Sequence, residues 1–474
     1  MAAIFLILMM ITIYWRMALD KILYHEIDLL IPVHRFKINY SYTREKRMEF
    51  VREFLLRLVR ISPLKPRQIA TYFGFSKIEL NEAISNLVNK DELDFSDDGD
   101  VVLTSRSKSY FTKSGGTPEV LAFFEDFIFL NYELVGFNPV KSRENEDNRL
   151  GLKLQVDNEV IANSAKEIKS VFQKNFLKYF QDKVLLTRNM DREGKTPNLY
   201  AMGEAILTGR KTLRLSNEFF IDFDLRPVQR SNFSELIDSS NIHDSITSKL
   251  SELQKIDNTE QVFGVMDAET KKFFSEKTFF DMKKLLQTRV ELLSEKNKSQ
   301  PIPFVGSIYL NHNWDLIIDE LEKLNKASNV IDDSSDLIWI APDDPFWGKS
   351  HKLISCISDL IQRESTRRKK AHRLFNTRIF LPLPKDEKKN RFINQTEYNF
   401  KGFVKNISYI ENGFSSGNIE ILLLPNCFVA VNYHLSIPNI LPVTIPIGFI
   451  SIDHKTIENV KNQVDDFLSN QSIN

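Results

Sequence analysis

Residues 337–352, LIWIAPDDPFWGKSHK, contain a Gly-Lys-Ser tripeptide behind an apolar, strand-like run. In the pattern G-x-x-x-x-G-K-[ST], glycines let a loop cradle nucleotide phosphates while the lysine adds charge. Here Asp343 stands at the first glycine position, followed by a second aspartate, a proline and two aromatic residues. The carboxylates would repel phosphate and the proline lacks a backbone donor. The sequence therefore favours a helix start capped by Ser350 over a nucleotide site.

Other side chains with catalytic or metal-binding chemistry show no informative spacing. The eight histidines are scattered, and two cysteines cannot complete a four-ligand zinc site. No G-x-S-x-G elbow is present, although a Ser/His/Asp arrangement could still assemble from distant positions. We interpret a group of aspartates as loop-solvating rather than metal-binding: Asp332, Asp333, Asp336, Asp343 and Asp344. We predict no catalytic residue, no metal site and no cofactor.

Length and charge limit the class of protein. The chain has 474 residues, enough for about three domains, with 63 basic and 63 acidic residues, so any attraction to a polyanion must come from a local patch. The low cysteine content fits a reducing cytoplasm. The apolar stretch 3–15 is shorter than a membrane-spanning helix, which needs about 20 residues. We interpret it as a buried helix or a short membrane-associating anchor, and expect no stable membrane insertion.

Helical and strand signals follow one another closely between residues 45 and 104. Residues 45–60 have apolar side chains at helical spacing, and Pro66 suits the first turn of a second helix, which Gly74 can end. Ser76 and Glu79 form a capping box that starts a third helix. Residues 93–104 predict two short strands around the turn Asp97-Asp98-Gly99-Asp100.

Three helices followed by a hairpin resemble the winged helix-turn-helix family, with residues 76–90 as the recognition helix and 93–104 as the wing. The resemblance implies a DNA reader whose recognition helix lies in the major groove. The alternative is a winged helix used for subunit contacts. The predicted nucleic-acid-binding residues on this module are Lys77, Asn81, Ser85 and Asn86 on the helix, with Arg106, Lys108 and Lys113 beyond the wing.

The remaining chain predicts a mixed region and then an α/β region. Residues 116–300 combine a long helix near 160–180 with strands in 212–225. From 301 onward strand-like runs alternate with helices, one of them capped by Asn313, which predicts an α/β layer sandwich. The predicted fold class is α+β multidomain. Its predicted parts are an N-terminal apolar segment (1–44), a winged helix (45–115), a mixed middle domain (116–300) and a C-terminal α/β sandwich (301–474).

The order of elements after residue 314, up to GNIEILLLPNCFVAVNYHL (417–435), resembles a phospholipase D-like domain. In that family a strand carries H-x-K-x4-D, whose histidine attacks phosphorus while the lysine neutralises phosphoryl oxygens. The corresponding positions here hold Asn418, Glu420 and Pro425. The resemblance therefore implies a degenerate domain that has lost this catalysis.

A basic run is predicted at the end of the helix that starts at residue 351. Clustered cations favour contact with phosphates or an acidic partner, although cations also complement a helix C-terminus. The run comprises Arg363, Arg367, Arg368, Lys369, Lys370, His372 and Arg373.

Together these patterns predict a cytoplasmic, non-catalytic, nucleic-acid-associated subunit of a prokaryotic multiprotein system. Modules resembling these two families occur together in DNA-processing and anti-phage defence systems, so a helicase or other ATPase is the expected protein partner, and an oligomer is possible. Two alternatives stay open: a phosphodiesterase or nuclease with an unrecognised site, and a protein-binding scaffold.

Overall fold

The computed structural model describes most of the chain. The described residues are 21–46, 48–111, 116–141, 150–185, 196–228, 236, 239–254, 256–276, 279–294, 300–327, 335–367, 370–373, 375–384 and 389–471. They form two compact units. The large unit comprises the described residues within 21–33, 133–157 and 211–471, and the small unit comprises those within 34–132 and 158–210. The units are built from alternating chain segments, whereas the sequence predicts four consecutive ranges.

The described chain contains both helices and strands, in agreement with the predicted mixture of helix and sheet. The helices are α1 (Phe50–Ile61), α2 (Pro66–Phe73), α3 (Lys77–Asn89), α4 (Ser105–Lys108), α5 (Asn158–Gln181), α6 (Ser240–Leu253), α7 (Thr259–Val265), α8 (Ala268–Lys271), α9 (Met282–Ser294), α10 (Asn311–Ala327), α11 (His351–Gln362), α12 (Lys389–Asn399) and α13 (His454–Ser469). The strands are β1 (Ile22–Lys46), β2 (Leu93–Phe95), β3 (Val101–Leu103), β4 (Val120–Glu133), β5 (Leu152–Lys153), β6 (Asn198–Ile221), β7 (Pro227–Val228), β8 (Phe274–Glu276), β9 (Phe279–Phe280), β10 (Ile302–Val305), β11 (Ser335–Ile340), β12 (Glu364–Arg367), β13 (Lys370–Arg373), β14 (Phe375–Pro382), β15 (Ile407–Ile410), β16 (Ile419–Leu424), β17 (Phe428–Leu435) and β18 (Ile445–Ser451).

Within the small unit, α1, α2 and α3 and the antiparallel pair β2–β3 enclose one apolar core. The local signals predicted from sequence are present here. Pro66 opens α2, and Gly74 ends it with φ at 71°, in the left-handed region that glycine tolerates. The Ser76 hydroxyl accepts from the Glu79 N–H, and the Glu79 carboxylate accepts from the Ser76 N–H, so the predicted capping box is confirmed.

The small unit also contains a sheet in which β1 lies between β4 and β6. One face of this sheet packs on α5, whose aromatic side chains meet β1. Tyr40 lies with its ring centroid 5.3 Å from Phe172 and 5.8 Å from Phe176. The other face carries the alternate residues of β1 and β4, which are exposed or half-buried.

The large unit is organised on a seven-stranded sheet with the order β10-β18-β17-β16-β11-β14-β15. β11, β14 and β15 are parallel, and the remaining neighbours are antiparallel. Alternate side chains of one strand enter different cores: Ile338 and Ile340 enter one, and Leu337 and Trp339 enter the other. Helices α10 and α11 bury apolar side chains in the second core, and α6 and α13 do so in the first.

Two local expectations for this region are corrected by the structure. Asn313 does not cap a helix, because α10 already begins at Asn311. Instead its side-chain amide donates to the carbonyl oxygens of Val305 (2.9 Å) and Ser307 (3.1 Å), which fixes α10 against the end of β10. By contrast, the predicted cap of α11 is confirmed, since Ser350 Oγ accepts from the Lys352 N–H at 3.2 Å.

The apolar stretch 3–15 lies outside the described residues. Among the helices that the structure does describe, none combines the length and apolar character needed to cross a lipid bilayer.

Candidate functional site

The predicted reading residues on α3 all lie on its solvent-facing side. Lys77, Asn81, Ser85 and Asn86 are exposed. Their orientation follows from the apolar periodicity of α3, which buries Leu80, Ile84 and Leu87 in the small-unit core. Asn and Ser side chains can each donate and accept hydrogen bonds, which is the chemistry that reads base edges. The helix therefore presents these four polar side chains to solvent, together with one apolar side chain, Ile78, which is 79% exposed.

Acidic groups limit the attraction of this module to phosphate. Glu79 and Glu82 are exposed on the same helix, and Asp97 and Asp98 are exposed at the turn between β2 and β3. Hydrogen bonds from Ser76 lower the pKa of Glu79, which keeps that carboxylate ionised. A duplex would therefore be held by a few individual lysines rather than by a broad positive field.

The cations predicted beyond the wing have different surroundings. Arg106 lies on α4 and donates from Nη1 to the Lys90 carbonyl oxygen at 3.2 Å, which ties α4 to the end of α3. Lys108 is exposed on the same short helix. Lys113 lies outside the described residues. Lys108 is thus a candidate phosphate contact, whereas Arg106 positions α4.

The predicted basic helix is wrong in its secondary structure. α11 ends at Gln362, and β12 and β13 form an antiparallel hairpin with Glu364 opposite Arg373 and Arg367 opposite Lys370. Arg363, the residue after the helix, donates from its guanidinium to Asp359 (3.0 Å) and Glu322 (3.0 Å). The chain then continues in extended conformation, which Ser365 and the β-branched Thr366 tolerate better than a helix. Arg368 and Lys369 lie outside the described residues.

A buried ionic network in the large unit joins Glu420 to His434 and Asp344. His434 on β17 is 1% exposed, and its Nδ1 lies 2.7 Å from Asp344 Oδ2 while its Nε2 lies 3.2 Å from Glu420 Oε2. Thr444 donates to Asp344 Oδ2 at 2.5 Å. Burial alone would lower the pKa of His434, but hydrogen bonds to both carboxylates outweigh it and raise the pKa to about 9. Burial would raise the pKa of Asp344, yet bonding to His434 brings it to about 2.

Glu420 is fully buried on β16 and has hydrogen-bond donors at both carboxylate oxygens. The indole N–H groups of Trp339 and Trp347 donate to Oε1 at 2.9 and 2.7 Å. The Asn432 amide lies 3.3 Å from Oε2, which also faces His434. Buried charges persist in proteins when they are paired and hydrogen-bonded in this way.

The hydrogen-bond geometry of this network indicates a structural role. Both ring nitrogens of His434 face carboxylates, so neither offers a lone pair to an attacking or proton-abstracting step. The network joins β16 and β17 to the loop 341–349, which carries Asp344. Asp344 is 9% exposed, so its predicted role as a loop-solvating residue is wrong. His434 is the residue from which the network could have been predicted in the sequence, because a histidine inside the apolar strand FVAVNYHL must have buried hydrogen-bond partners.

Glu26, Asp28 and His351 are a group of potential metal ligands among the described residues, with one ligand atom from each within 4.8 Å of the others. Their contacts show a helix cap instead. Asp28 Oδ2 accepts from the His351 backbone N–H at 2.7 Å, and Lys352 Nζ lies 2.5 Å from Glu26 Oε2. The N-terminus of α11 and the lysine already supply positive charge, which disfavours a cation there.

A cavity of about 440 Å³ opens at the carboxyl ends of β11 and β14. Its lining includes Asp343, Asp344 and Lys349 from the loop after β11, and Gln395 and Asn399 from α12. Burial lowers the pKa of Lys349, and the neighbouring Asp344 opposes that shift. The cavity therefore has charged and polar groups in its lining, and Asp344 connects it to the His434 network.

Comparisons with protein-family models, with curated proteins and with solved structures found no match to this chain.

Proposed function

We propose that the chain is a non-catalytic nucleic-acid-binding subunit of a prokaryotic multiprotein system, of the kind that processes DNA or defends against phage. The observation that carries the proposal is the exposed face of α3 with its polar side chains. We interpret α1, α2, α3 and the β2–β3 hairpin, which share one apolar core, as a winged helix. In this proposal α3 enters the major groove of duplex DNA. Asn81, Ser85 and Asn86 contact base edges, and Lys77 and Lys108 contact phosphates.

Support for the non-catalytic part comes from the large unit, which we interpret as an α/β sandwich similar to a degenerate phospholipase D-like domain. Glu420 occupies the position of the family's catalytic lysine, and it is buried and fully bonded. His434 is sealed between two carboxylates. These groups support a scaffold role for the large unit, and the sequence of the β12–β13 hairpin contains Arg367, Lys370 and Arg373.

The test is duplex binding by the full-length chain, measured by fluorescence anisotropy over a series of salt concentrations. Asn81→Ala or Asn86→Ala should weaken binding by about 1–3 kcal/mol for preferred sequences and relax the preference. Lys77→Ala should weaken binding to all sequences and reduce the slope of log K against log salt by about 1. Lys174→Ala, which removes an exposed lysine from α5, is the charge-matched control.

Equal effects of Lys77→Ala and Lys174→Ala would show that only total charge matters and would remove α3 as the reading element. Absence of duplex binding even at low salt would leave the module as a protein-binding winged helix.

A further inference from the structure

The outward face of the small-unit sheet carries large apolar side chains in contact with water. On β4, Leu121, Phe123, Phe127 and Phe129 are 62, 52, 51 and 43% exposed. On β6, Tyr200 is 69% exposed and meets Phe123 edge to face, with ring centroids 5.2 Å apart. An exposed apolar patch of this kind marks an interaction surface more often than a solvated one.

Cations from the neighbouring strand lie directly on these rings. The Lys37 ammonium nitrogen is 4.4 Å from the centroid of Phe127, and the Arg35 guanidinium carbon is 4.8 Å from the centroid of Phe129. Both cations come from alternate positions of β1, so they share the outward face with the β4 aromatics. The surface therefore interleaves aromatic rings with positive charge.

The rest of the small unit leaves this face uncovered. α5 packs on the opposite face, where Tyr40 contacts Phe172 and Phe176. Among the described residues, no helix lies over Phe123, Phe127 or Phe129, as their exposure shows. β4 is also at one edge of the sheet order, so the face is open along that side.

The chemistry of this face fits a chain of stacked bases joined by phosphates. Aromatic side chains stack with any base, and cations beside them neutralise the backbone. A second copy of the chain fits less well, because a two-fold contact through this face would bring Arg35 and Lys37 close to their own counterparts. The charge on the face thus favours a polyanion over self-association.

We propose that the outward face of β1, β4 and β6 in the small unit binds single-stranded nucleic acid, with bases on Phe123, Phe127, Phe129 and Tyr200 and phosphates on Arg35 and Lys37. This surface is separate from α3, so it adds a single-strand site to the proposed duplex contact and does not depend on it. Glu125 is exposed on the same side of β4, between Phe123 and Phe127, and opposes the phosphates.

The experiment measures binding of the full-length chain to labelled oligo-dT and oligo-U. Phe127→Ala and Phe129→Ala should each weaken binding by about 5- to 150-fold, the range found for loss of one stacking contact. Arg35→Gln and Lys37→Gln should each reduce the slope of log K against log salt by about 0.7. Glu125→Gln should strengthen binding, a direction that a purely structural role for this strand does not produce.

Asn81→Ala on α3 is the control, since it should leave single-strand binding unchanged while weakening duplex binding. Circular dichroism and thermal melting of each variant confirm that the fold is kept, which the exposure of these side chains favours. Comparing oligo-dT with oligo-U shows whether the face binds DNA, RNA or both, and binding of either oligonucleotide supports the proposal. The proposal is overturned if neither oligonucleotide binds at low salt, if Phe127→Ala and Phe129→Ala bind normally, or if sedimentation shows that these variants abolish a dimer instead.

Discussion

His434 and His25 place opposite limits on the pH range in which the folded state is most stable. Hydrogen bonds to two carboxylates raise the folded pKa of His434 from 6.5 to about 9. Burial lowers the folded pKa of His25 from 6.5 to about 4. A raised histidine pKa stabilises the fold fully below pH 6.5 and loses that effect as pH rises to about 9. A lowered histidine pKa costs stability as pH falls from 6.5 toward 4.

We therefore expect a maximum of the free energy of unfolding near pH 6.5. Since one pKa unit corresponds to about 1.4 kcal/mol, the decline between pH 6.5 and 9 should be on the order of 3 kcal/mol. Urea unfolding of the full chain at several pH values measures this. His434→Gln should be less stable at pH 6.5 and should flatten the alkaline decline. An unchanged alkaline slope in that variant would assign the decline to other groups.

Sequence reasoning did not reach this network, and the reason is physical. Asp344 and His434 are 90 residues apart in the chain, and no local pattern links them. A histidine within an apolar strand indicates that the ring has a buried hydrogen-bond partner. The sequence does not show which carboxylate is that partner. Charged residues in a loop are usually solvated, so Asp344 received the commoner interpretation.

At the scale of elements, local signals predicted structure well and long-range pairing was missed. The Ser76–Glu79 box, Pro66 and Gly74 act within one helical turn, so their residue types alone set α2 and α3. β1 is 25 residues long, and its place in a sheet depends on strands far away in the chain. The basic run that forms β12 and β13 was predicted at the end of the helix starting at residue 351, and no glycine, proline or asparagine within 363–373 signals a hairpin.

Gly448 is the position at which the central sheet of the large unit tolerates no side chain. A Cβ atom there would lie 2.0 Å from the Val431 carbonyl oxygen and 2.8 Å from the Asn432 Cα. Gly448→Ala must therefore separate β18 from β17 and displace Asn432 from Glu420. We expect a loss of about 1–3 kcal/mol or more in thermal or urea unfolding.

Gly264→Ala is the matched control, because a Cβ at Gly264 on α7 meets no atom within 4 Å. That substitution should be neutral or stabilising by about 0.4–1 kcal/mol. If both variants unfold at the same urea concentration, the close approach of β17 and β18 at Gly448 does not exclude a side chain from this position.

For the molecule as a whole, the charge balance leaves the proposed nucleic-acid contacts to local patches. The 63 basic and 63 acidic residues cancel, so no overall field concentrates the chain on a polyanion. A partner could supply that localisation. α1 offers a surface for one, because Phe50, Val51 and Phe54 are 70, 41 and 36% exposed and the two phenyl centroids are 4.4 Å apart.

We expect Phe50→Ser with Phe54→Ser to reduce the affinity for the proposed helicase or ATPase partner by at least about tenfold, since aromatic residues dominate interface energies. Isothermal titration of the purified pair measures this. Leu177→Ser, which removes an exposed apolar side chain from α5, is the control. Equal affinities for all three proteins would place the partner surface elsewhere.

The helix cap formed by Glu26 and Ser350 has a consequence for biosynthesis. The hydrogen bond between these side chains spans 324 residues. At about 5–20 residues per second, a ribosome needs roughly 16–65 s to make the second partner after the first. During that interval the apolar residues of β1 that end up in the large-unit core are without their final neighbours. We therefore expect nascent chains to engage a chaperone such as a holdase near residues 22–33 until translation passes α11.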